Sequence, residues 1–212
     1  ILSRLVGSEM CIRDRDILNL LEAKNLYKSF GNINAVSDIS ISLNVGEVIG
    51  FLGPNGAGKS TTMKMLTGFL EADSGSIEIK KIDLSKDPIN AKSIIGYLPE
   101  GAPSYSDMTV KSFLYFVGKM RGLKDELLEK RLEIMLKDIN LSEVQNQIIE
   151  TLSKGYKRRV GIAQALIHDP DILILDEPTD GLDPNQKFEM RKLIKSILSL
   201  IHISEPTRRL NI

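Results

Sequence analysis

The chain has 212 residues, of which 42% are hydrophobic and 26% charged, as expected of a globular protein with a sizeable core. Lysine plus arginine and aspartate plus glutamate both number 28, and this zero net charge argues against a non-specific nucleic-acid-binding protein, which carries a basic excess. The single cysteine, Cys11, excludes an intrachain disulfide, and no apolar run reaches the roughly 18–20 residues that span a bilayer, so we expect any membrane connection to run through a partner.

The two ends of the chain differ from the rest. Residues 1–15 and 201–212 show no hydrophobic period, no helix-capping signal and no secretory pattern. We interpret both segments as non-native tails, with native disordered ends as the alternative, and residues 16–200 as the domain. On this interpretation the natural protein is truncated at its C-terminus.

The first third of the chain predicts two strands and a helix. Apolar and polar residues alternate over residues 39–45, which indicates a half-buried strand, and we expect it to pair in a small antiparallel sheet with residues 18–27. Residues 48–52 form a continuous apolar run, typical of a strand covered on both faces. A helical spacing follows in Met63, Leu66 and Leu70.

The middle of the chain has helical periods. Thr109 is a candidate N-cap for a first amphipathic helix, and a second amphipathic helix follows. Their apolar positions are Phe113, Phe116, Val117 and Met120 in the first, and Leu128, Leu132, Met135, Leu136 and Ile139 in the second. We expect a helical lobe over about residues 90–165, inserted into an α/β domain that resumes with a buried strand over residues 171–175.

A glycine-rich loop lies between the predicted strand and helix of the first third. The segment "GPNGAGKST" matches the pattern G-x-x-x-x-G-K-[ST], whose glycines let backbone N–H groups converge on phosphate oxygens. We expect Lys59 to reach the outer phosphates and the Ser60 hydroxyl to ligate Mg²⁺. The predicted phosphate-binding residues are Gly53, Pro54, Asn55, Gly56, Ala57, Gly58, Lys59, Ser60 and Thr61.

Two acidic residues, Asp176 and Glu177, end the predicted strand at 171–175. Ligands of open α/β sheets collect at the carboxyl ends of strands, so we expect this pair to face the phosphate loop. Asp176 would hold Mg²⁺, directly or through water, and Glu177 would polarise the attacking water. Glu177 and Lys59 are therefore the predicted catalytic residues.

The segment "TLSKGYKRRVG", residues 151–161, predicts a helix that begins after Ser153. The free N–H groups and the positive end of the helix dipole at such a start favour an anion. The phosphate loop lies far upstream, so this helix start predicts a second phosphate contact.

The phosphate loop, the helical lobe, "LSKGYKRR" and "LILDEPTDGLD", in this order, resemble the nucleotide-binding domain of ATP-binding cassette (ABC) transporters over residues 18–200. The segments "YLPE" and "SYSDMTV" are similar to those of multidrug and gliding-motility type export cassettes. The resemblance implies an α/β fold: a P-loop NTPase core with a mixed sheet, a small antiparallel β subdomain and an inserted α-helical lobe. It implies ATP and Mg²⁺ as cofactors.

The resemblance also implies roles for single residues. Ser153 and Gly155 would bind the γ-phosphate of an ATP held by an opposite subunit, with two copies stacked head to tail. Asp183 would lie in the loop that contacts this partner. Phe30 resembles the aromatic residue that stacks on adenine, with Tyr27 as its rival and a core position as the alternative for either.

The metal ligands implied by the resemblance are Ser60, Asp176 and Glu100, where Glu100 occupies the place of a glutamine that touches Mg²⁺. Asp180 stands where a serine is more usual. The family also uses a later histidine to support hydrolysis. His168 follows a predicted helix end, where a cation is favoured, and we interpret it as structural. His202 is too close to the acidic pair for the family spacing, so we expect Mg-ATP binding with low turnover.

The function implied is an ATP-binding and ATP-hydrolysing subunit of an exporter, which powers transport through ATP-driven dimer closure. Its partners would be a second nucleotide-binding domain and integral membrane permease subunits, and it would lie at the cytoplasmic face of the membrane, attached through the permease. The alternatives are a soluble cassette that acts on ribosomes or DNA, and an inert truncated fragment.

Overall fold

The computed structural model describes residues 19–101, 105–201 and 207–211. They divide into two units, one with residues 19–92 and 207–211 and the other with residues 93–201. The segment predicted to be a non-native N-terminal tail lies outside the described residues. Of the predicted C-terminal tail, Thr207–Asn211 forms a strand, and its non-native origin stays a prediction.

The first unit contains the predicted antiparallel sheet. β1 (Asn19–Phe30) pairs with β2 (Ile33–Asn44), as the alternation predicts, and the sheet order is β2-β1-β4-β5. The added strands are β4 (Ser74–Ile79) and β5 (Ile82–Asp83). Val45 was expected to continue the buried face of β2, but it follows the strand end and is 40% exposed.

A strand, a loop and a helix follow in the first unit, as predicted. β3 (Val48–Leu52) pairs in parallel with β8 (Thr207–Asn211), and α1 (Lys59–Leu66) begins after the loop. The prediction that β3 is covered on both faces is wrong at Leu52, which is 47% exposed. The helix ends before Leu70 because Gly68 takes a φ of 64°, a left-handed conformation that closes helices. Its buried side chains are Thr62, Met65 and Leu66.

The second unit combines a parallel strand pair with helices. β6 (Ile95–Leu98) pairs with β7 (Ile172–Leu175). The short α2 (Pro88–Ser93) precedes them in the chain, and all of it but Ser93 belongs to the first unit. The longer helices are α3 (Val110–Met120), α4 (Asp125–Asp138), α5 (Lys154–Leu166) and α6 (Pro184–Ile201), with 3₁₀ turns at Ser142–Val144 and Ile149–Thr151. The lobe was expected from about residue 90, but its helices begin later because residues 95–98 belong to the sheet.

The N-cap of α3 is confirmed, but its buried face differs from the prediction. The Thr109 hydroxyl oxygen accepts a hydrogen bond from the Ser112 N–H at 3.2 Å. Phe116 and Met120 were expected to be buried, yet they are 38% and 74% exposed. The reason is the approach of α4 at Gly118, where an added Cβ would lie 2.2 Å from a methyl carbon of Leu128. The face around Gly118 is therefore the inner one.

Close packing of α5 on β6 makes a test of the second unit possible. A Cβ at Gly96 would lie 2.2 Å from the carbonyl oxygen of Ala165, and backbone cannot move aside as a side chain can. We expect Gly96→Ala to lower the free energy of unfolding, measured by urea denaturation, by about 1–3 kcal/mol.

The matched control is Gly50→Ala in β3, where an added Cβ has nothing within 4 Å. This change is expected to leave stability unchanged or to raise it by up to about 1 kcal/mol, because alanine restricts the unfolded chain. Equal losses in the two variants would contradict the packing argument.

Candidate functional site

The phosphate loop has a backbone that only glycine adopts readily. Gly56 and Gly58 both have a φ of 84°, in the left-handed region. An added Cβ at Gly58 would lie 2.3 Å from the carbonyl oxygen of Ala35 on β2. The Gly58 carbonyl oxygen accepts hydrogen bonds from both the N–H and the hydroxyl of Thr62, each at 2.8 Å. The loop therefore leads directly into the first turn of α1.

Positive charge is concentrated at this loop. The Lys59 ammonium donates hydrogen bonds to the carbonyl oxygens of Gly53 at 2.9 Å and Pro54 at 2.7 Å, so it is held against its own loop. The first turn of α1, all of it described, contains no acidic side chain. The loop N–H groups, the helix start and Lys59 together favour an anion.

Two aromatic residues near the end of β1 are accessible to a ligand. Phe30 is 49% exposed and Tyr27 is 41% exposed. The alternative that either belongs to the core is therefore wrong. The Lys28 ammonium lies 5.8 Å from the centroid of the Phe30 ring.

The acidic pair in the second unit is split between two environments. Asp176 is 2% exposed, and its N–H donates to the Leu98 carbonyl oxygen at 2.9 Å, which continues the β6–β7 ladder by one residue. Glu177 is exposed and has a φ of 46°. A positive φ is uncommon for residues other than glycine, and residues with this conformation are concentrated at functional sites. We predicted that the pair faces the phosphate loop. Because the pair and the loop belong to different units, this stays a prediction.

Tyr97 is a neighbour of Asp176 that the sequence did not identify. Its hydroxyl is buried and, within the described ranges, lacks a hydrogen-bond partner. Burial, with a smaller contribution from the Asp176 carboxylate, raises the pKa of Tyr97 to about 12. The tyrosine therefore remains a neutral hydrogen-bond donor at physiological pH.

Three exposed carboxylates meet beyond the strand ends. Oxygens of Glu100, Glu177 and Asp180 all lie within 4.8 Å of one another. Carboxylate oxygens are ligands that Mg²⁺ prefers. The structure thus brings Glu100, a predicted metal ligand, to the predicted catalytic Glu177, and it adds Asp180. Ser60 belongs to the other unit, and its place among the metal ligands stays a prediction.

The helix start at Ser153 is as predicted. The Ser153 hydroxyl oxygen accepts from the Tyr156 N–H at 3.4 Å, and Ser153 itself is exposed. The described first turn of α5 contains no acidic side chain. Gly155 is buried, and an added Cβ would lie 3.4 Å from the side-chain amide carbon of Gln186. An anion can therefore approach the helix start, and α6 lies beside it at Gly155 in ordinary van der Waals contact.

Asp183 has a local role that the sequence analysis missed. Its side-chain oxygen accepts from the Gln186 N–H at 2.9 Å, and its carbonyl oxygen accepts from the Lys187 N–H at 2.8 Å. These are the contacts of a helix N-cap. An aspartate directly before Pro184 is the signal that could have identified it, because proline is common at the first helical position.

His168 is structural, as expected, but for a different reason. Its Nε2 donates to the Ile95 carbonyl oxygen at 3.1 Å. Burial, and then the nearby Arg121 guanidinium, lower the pKa of His168 to about 4. The imidazole is therefore neutral, and the expected cation at the helix end is wrong. His202 lies outside the described residues.

Comparison with known proteins identifies relatives. A family model described as "ABC transporter" matches residues 36–180. The linearmycin resistance ATP-binding protein LnrL of Bacillus subtilis is 41% identical over 178 residues, which cover 84% of this chain and 57% of that protein. The lipopolysaccharide export system ATP-binding protein LptB of Haemophilus influenzae is 37% identical over 183 residues, covering 85% of this chain and 76% of that protein.

Solved structures agree with the fold. The cbiO1 protein of Clostridium perfringens, described as part of the ABC transporter complex cbiONQ, superposes with a TM-score of 0.77 at 28% identity, covering 92% of this chain and 78% of that one. The predicted ABC ATPase fold is thereby confirmed. Among the described residues, no helix combines the length and apolar character needed to cross a membrane.

The neutral His168 predicts a pH dependence of stability. The folded pKa of about 4 lies below the ordinary value of 6.5, so the unfolded chain binds more protons between these values. Stability is therefore fully present above pH 6.5 and falls as the pH drops toward 4, by at most about 1.4 kcal/mol per pH unit.

Urea denaturation at a series of pH values measures this dependence. His168→Gln, which keeps an amide donor and cannot titrate, is expected to flatten the slope between pH 6.5 and pH 4. The control His202→Gln removes the only other histidine of the sequence and should keep the wild-type slope. An unchanged slope in His168→Gln would contradict the assignment.

Proposed function

This chain belongs to the ABC transporter family, and on that premise we propose that it binds and hydrolyses ATP to power a membrane exporter. The observation that carries the proposal is the pair of anion-favouring backbone sites. One is the loop with left-handed Gly56 and Gly58, and the other is the exposed helix start at Ser153. Each unit of the fold supplies one of them.

The proposed nucleotide complex is Mg-ATP. Residues 53–61 would cradle the phosphates, with Lys59 on the outer ones. Ser60, Asp176 and Glu100 offer hydroxyl and carboxylate oxygens, a donor set that fits Mg²⁺. The bound metal would neutralise charge on the phosphates. Glu177 would polarise the attacking water, and its exposure leaves its carboxylate accessible to solvent.

The proposed active unit is a head-to-tail dimer. Ser153 is exposed, and the first turn of α5 offers N–H groups without a nearby acidic side chain on that turn. A triphosphate carried by a second copy would supply the complementary anion for the N–H groups of this turn, that of Gly155 included. Asp183, exposed at the start of α6, would lie at the same interface.

The proposed membrane partner is a permease subunit that docks on the helical lobe. An open apolar groove of about 520 Å³ there is lined chiefly by Tyr105, Phe113, Phe116, Val117 and Met120. Exposed apolar grooves of this kind mark protein interaction sites. The groove supports attachment of the chain to the cytoplasmic face of the membrane. The names of the relatives, a linearmycin resistance protein and a lipopolysaccharide export system protein, support export.

Low turnover is part of the proposal. The hydrogen bond to Ile95 and the low pKa keep His168 in a structural role. His202 is close to Glu177 in sequence compared with the family spacing. We therefore propose Mg-ATP binding with slow hydrolysis for this chain.

The central test is ATP-dependent dimerisation of Glu177→Gln. This substitution removes the proposed base while keeping shape, so ATP should persist and hold two copies together. Analytical ultracentrifugation with saturating Mg-ATP is expected to show a dimer, and without nucleotide a monomer. A monomer in both conditions would contradict the proposed head-to-tail dimer.

The control adds Ser153→Asp to this variant. Aspartate is as good an N-cap as serine, so α5 should remain folded, but its charge repels a phosphate. The double variant should bind Mg-ATP and stay monomeric. Dimerisation equal to that of Glu177→Gln alone would contradict the proposed position of Ser153 at the interface.

A second test concerns Glu100 as a metal ligand. We expect Glu100→Gln to weaken the apparent Mg²⁺ affinity of the ATP complex by about fivefold, equivalent to ~1 kcal/mol for a charge near the surface. A Mg²⁺ titration of ATP binding measures this. Asp180→Asn also removes one negative charge from the cluster of three carboxylates and should have a smaller effect. An unchanged affinity in Glu100→Gln would contradict the assignment.

A further inference from the structure

Asp73 holds three consecutive residues at the end of β1. Its N–H donates to the Tyr27 carbonyl oxygen at 2.9 Å. One carboxylate oxygen accepts from the Lys28 ammonium at 2.6 Å, and the other accepts from the Ser29 N–H at 2.7 Å. Both oxygens and the backbone of a single residue thus bind one edge of the hairpin.

These contacts replace strand pairing where it stops. The ladder between β1 and β4 ends at the pair Tyr27 and Ser74, so the Ser29 N–H lies beyond it. Phe30, at the tip, pairs only with β2 among the described strands, opposite Ile33. The Asp73 carboxylate therefore secures the side of the hairpin tip that faces away from β2.

The carboxylate remains charged under physiological conditions. The hydrogen bond from Lys28, and then that from the Ser29 N–H, lower the pKa of Asp73. A charge-assisted hydrogen bond of this kind is stronger than a neutral one. The contact therefore persists across the neutral pH range.

Lys28 connects this contact to the aromatic ring. Its side chain is only 15% exposed, and its ammonium, while bound to Asp73, lies 5.8 Å from the Phe30 ring centroid. A cation at this distance over an aromatic face attracts the ring. Phe30 itself remains 49% exposed. The ring is thus restrained by Lys28 and still accessible to a ligand.

We propose that the Asp73 carboxylate and the Lys28 ammonium form a clamp that holds Phe30 ready to stack on the adenine ring, so that Asp73 is a positioning residue for the base half of the nucleotide. The inference rests on the proposed ATP binding. A side chain ordered before binding loses less entropy when the ligand arrives. The clamp lies outside residues 53–61, so it acts on the base and leaves triphosphate binding unchanged.

Calorimetric titration of the full chain with Mg-ATP and with Mg-tripolyphosphate tests this separation. Asp73→Asn and Lys28→Met are each expected to weaken ATP binding by about three- to tenfold, a fraction of the value of an aromatic stack on a base. Binding of tripolyphosphate should stay within about twofold of wild type, because it has no base to stack.

Asp83→Asn is the matched control. Asp83 is also a surface carboxylate that accepts from a lysine, Lys86 at 3.1 Å, and the Ser85 hydroxyl and Lys86 lower the pKa of Asp83 to about 2. In the described part of the chain, its side chain makes no hydrogen bond or ion pair with β1. Both ligands should bind this variant as they bind wild type. A loss of ATP affinity equal to that of Asp73→Asn would overturn the clamp.

A fluorescent variant reports on the ring directly. The sequence contains no tryptophan, so Phe30→Trp introduces a single tryptophan, whose emission is read apart from that of the five tyrosines. Mg-ATP is expected to change its emission, tripolyphosphate is not, and adding Asp73→Asn should move the ATP response to higher concentration. Tyr27→Trp tests the rival residue. A response at Tyr27→Trp with none at Phe30→Trp would overturn the proposal.

A failure of the proposed function and a failure of the clamp give different binding results. Wild type that binds neither ligand would contradict the proposed function. Wild type that binds ATP and tripolyphosphate equally tightly would show that the base contributes nothing, which overturns the clamp alone. Parallel losses of both ligands in Asp73→Asn would show a general structural role and also overturn it.

Discussion

The left-handed turn at Gly58 is the constraint on which the proposed nucleotide site depends. A left-handed backbone lets the N–H groups of a loop converge on an anion, and Gly58 takes this conformation with the Ala35 carbonyl directly behind it. The antiparallel sheet therefore supports the phosphate loop as well as the exposed Phe30. One small sheet thus carries both the loop that we propose for the triphosphate and the aromatic residue that we propose for the base.

Much of the fold was predictable because local signals agreed with the final contacts. The alternation in β2 and the Thr109 cap both predicted elements that the structure contains. The inner face of α3 was not predictable, because Phe116 and Met120 fit a helical stripe equally well. Only the approach of α4 at Gly118 determines which side is buried, and that approach is a tertiary contact.

The candidate site also has features that were predictable from the sequence and features that were not. The phosphate loop and Asp176 with Glu177 follow from motifs whose spacing has a chemical reason. The left-handed backbone at Glu177, the nearness of Asp180 to Glu100 and the neutral state of His168 depend on long-range packing, and the sequence contains no signal for them. The pairing of Asp73 with Lys28 is of this kind, since the two are far apart in the chain. The N-cap at Asp183 was predictable from the sequence, because the proline that follows it indicates the start of a helix.

The glycine contact between β6 and α5 has a mechanical consequence. Gly96 and the Ala165 carbonyl oxygen are so close that no side chain fits between the strand and the helix at that point. The same helix begins at Ser153, and the same strand leads to Glu100. A displacement of either element therefore has to displace the other at this contact, so we expect the start of α5 and the end of β6 to move together.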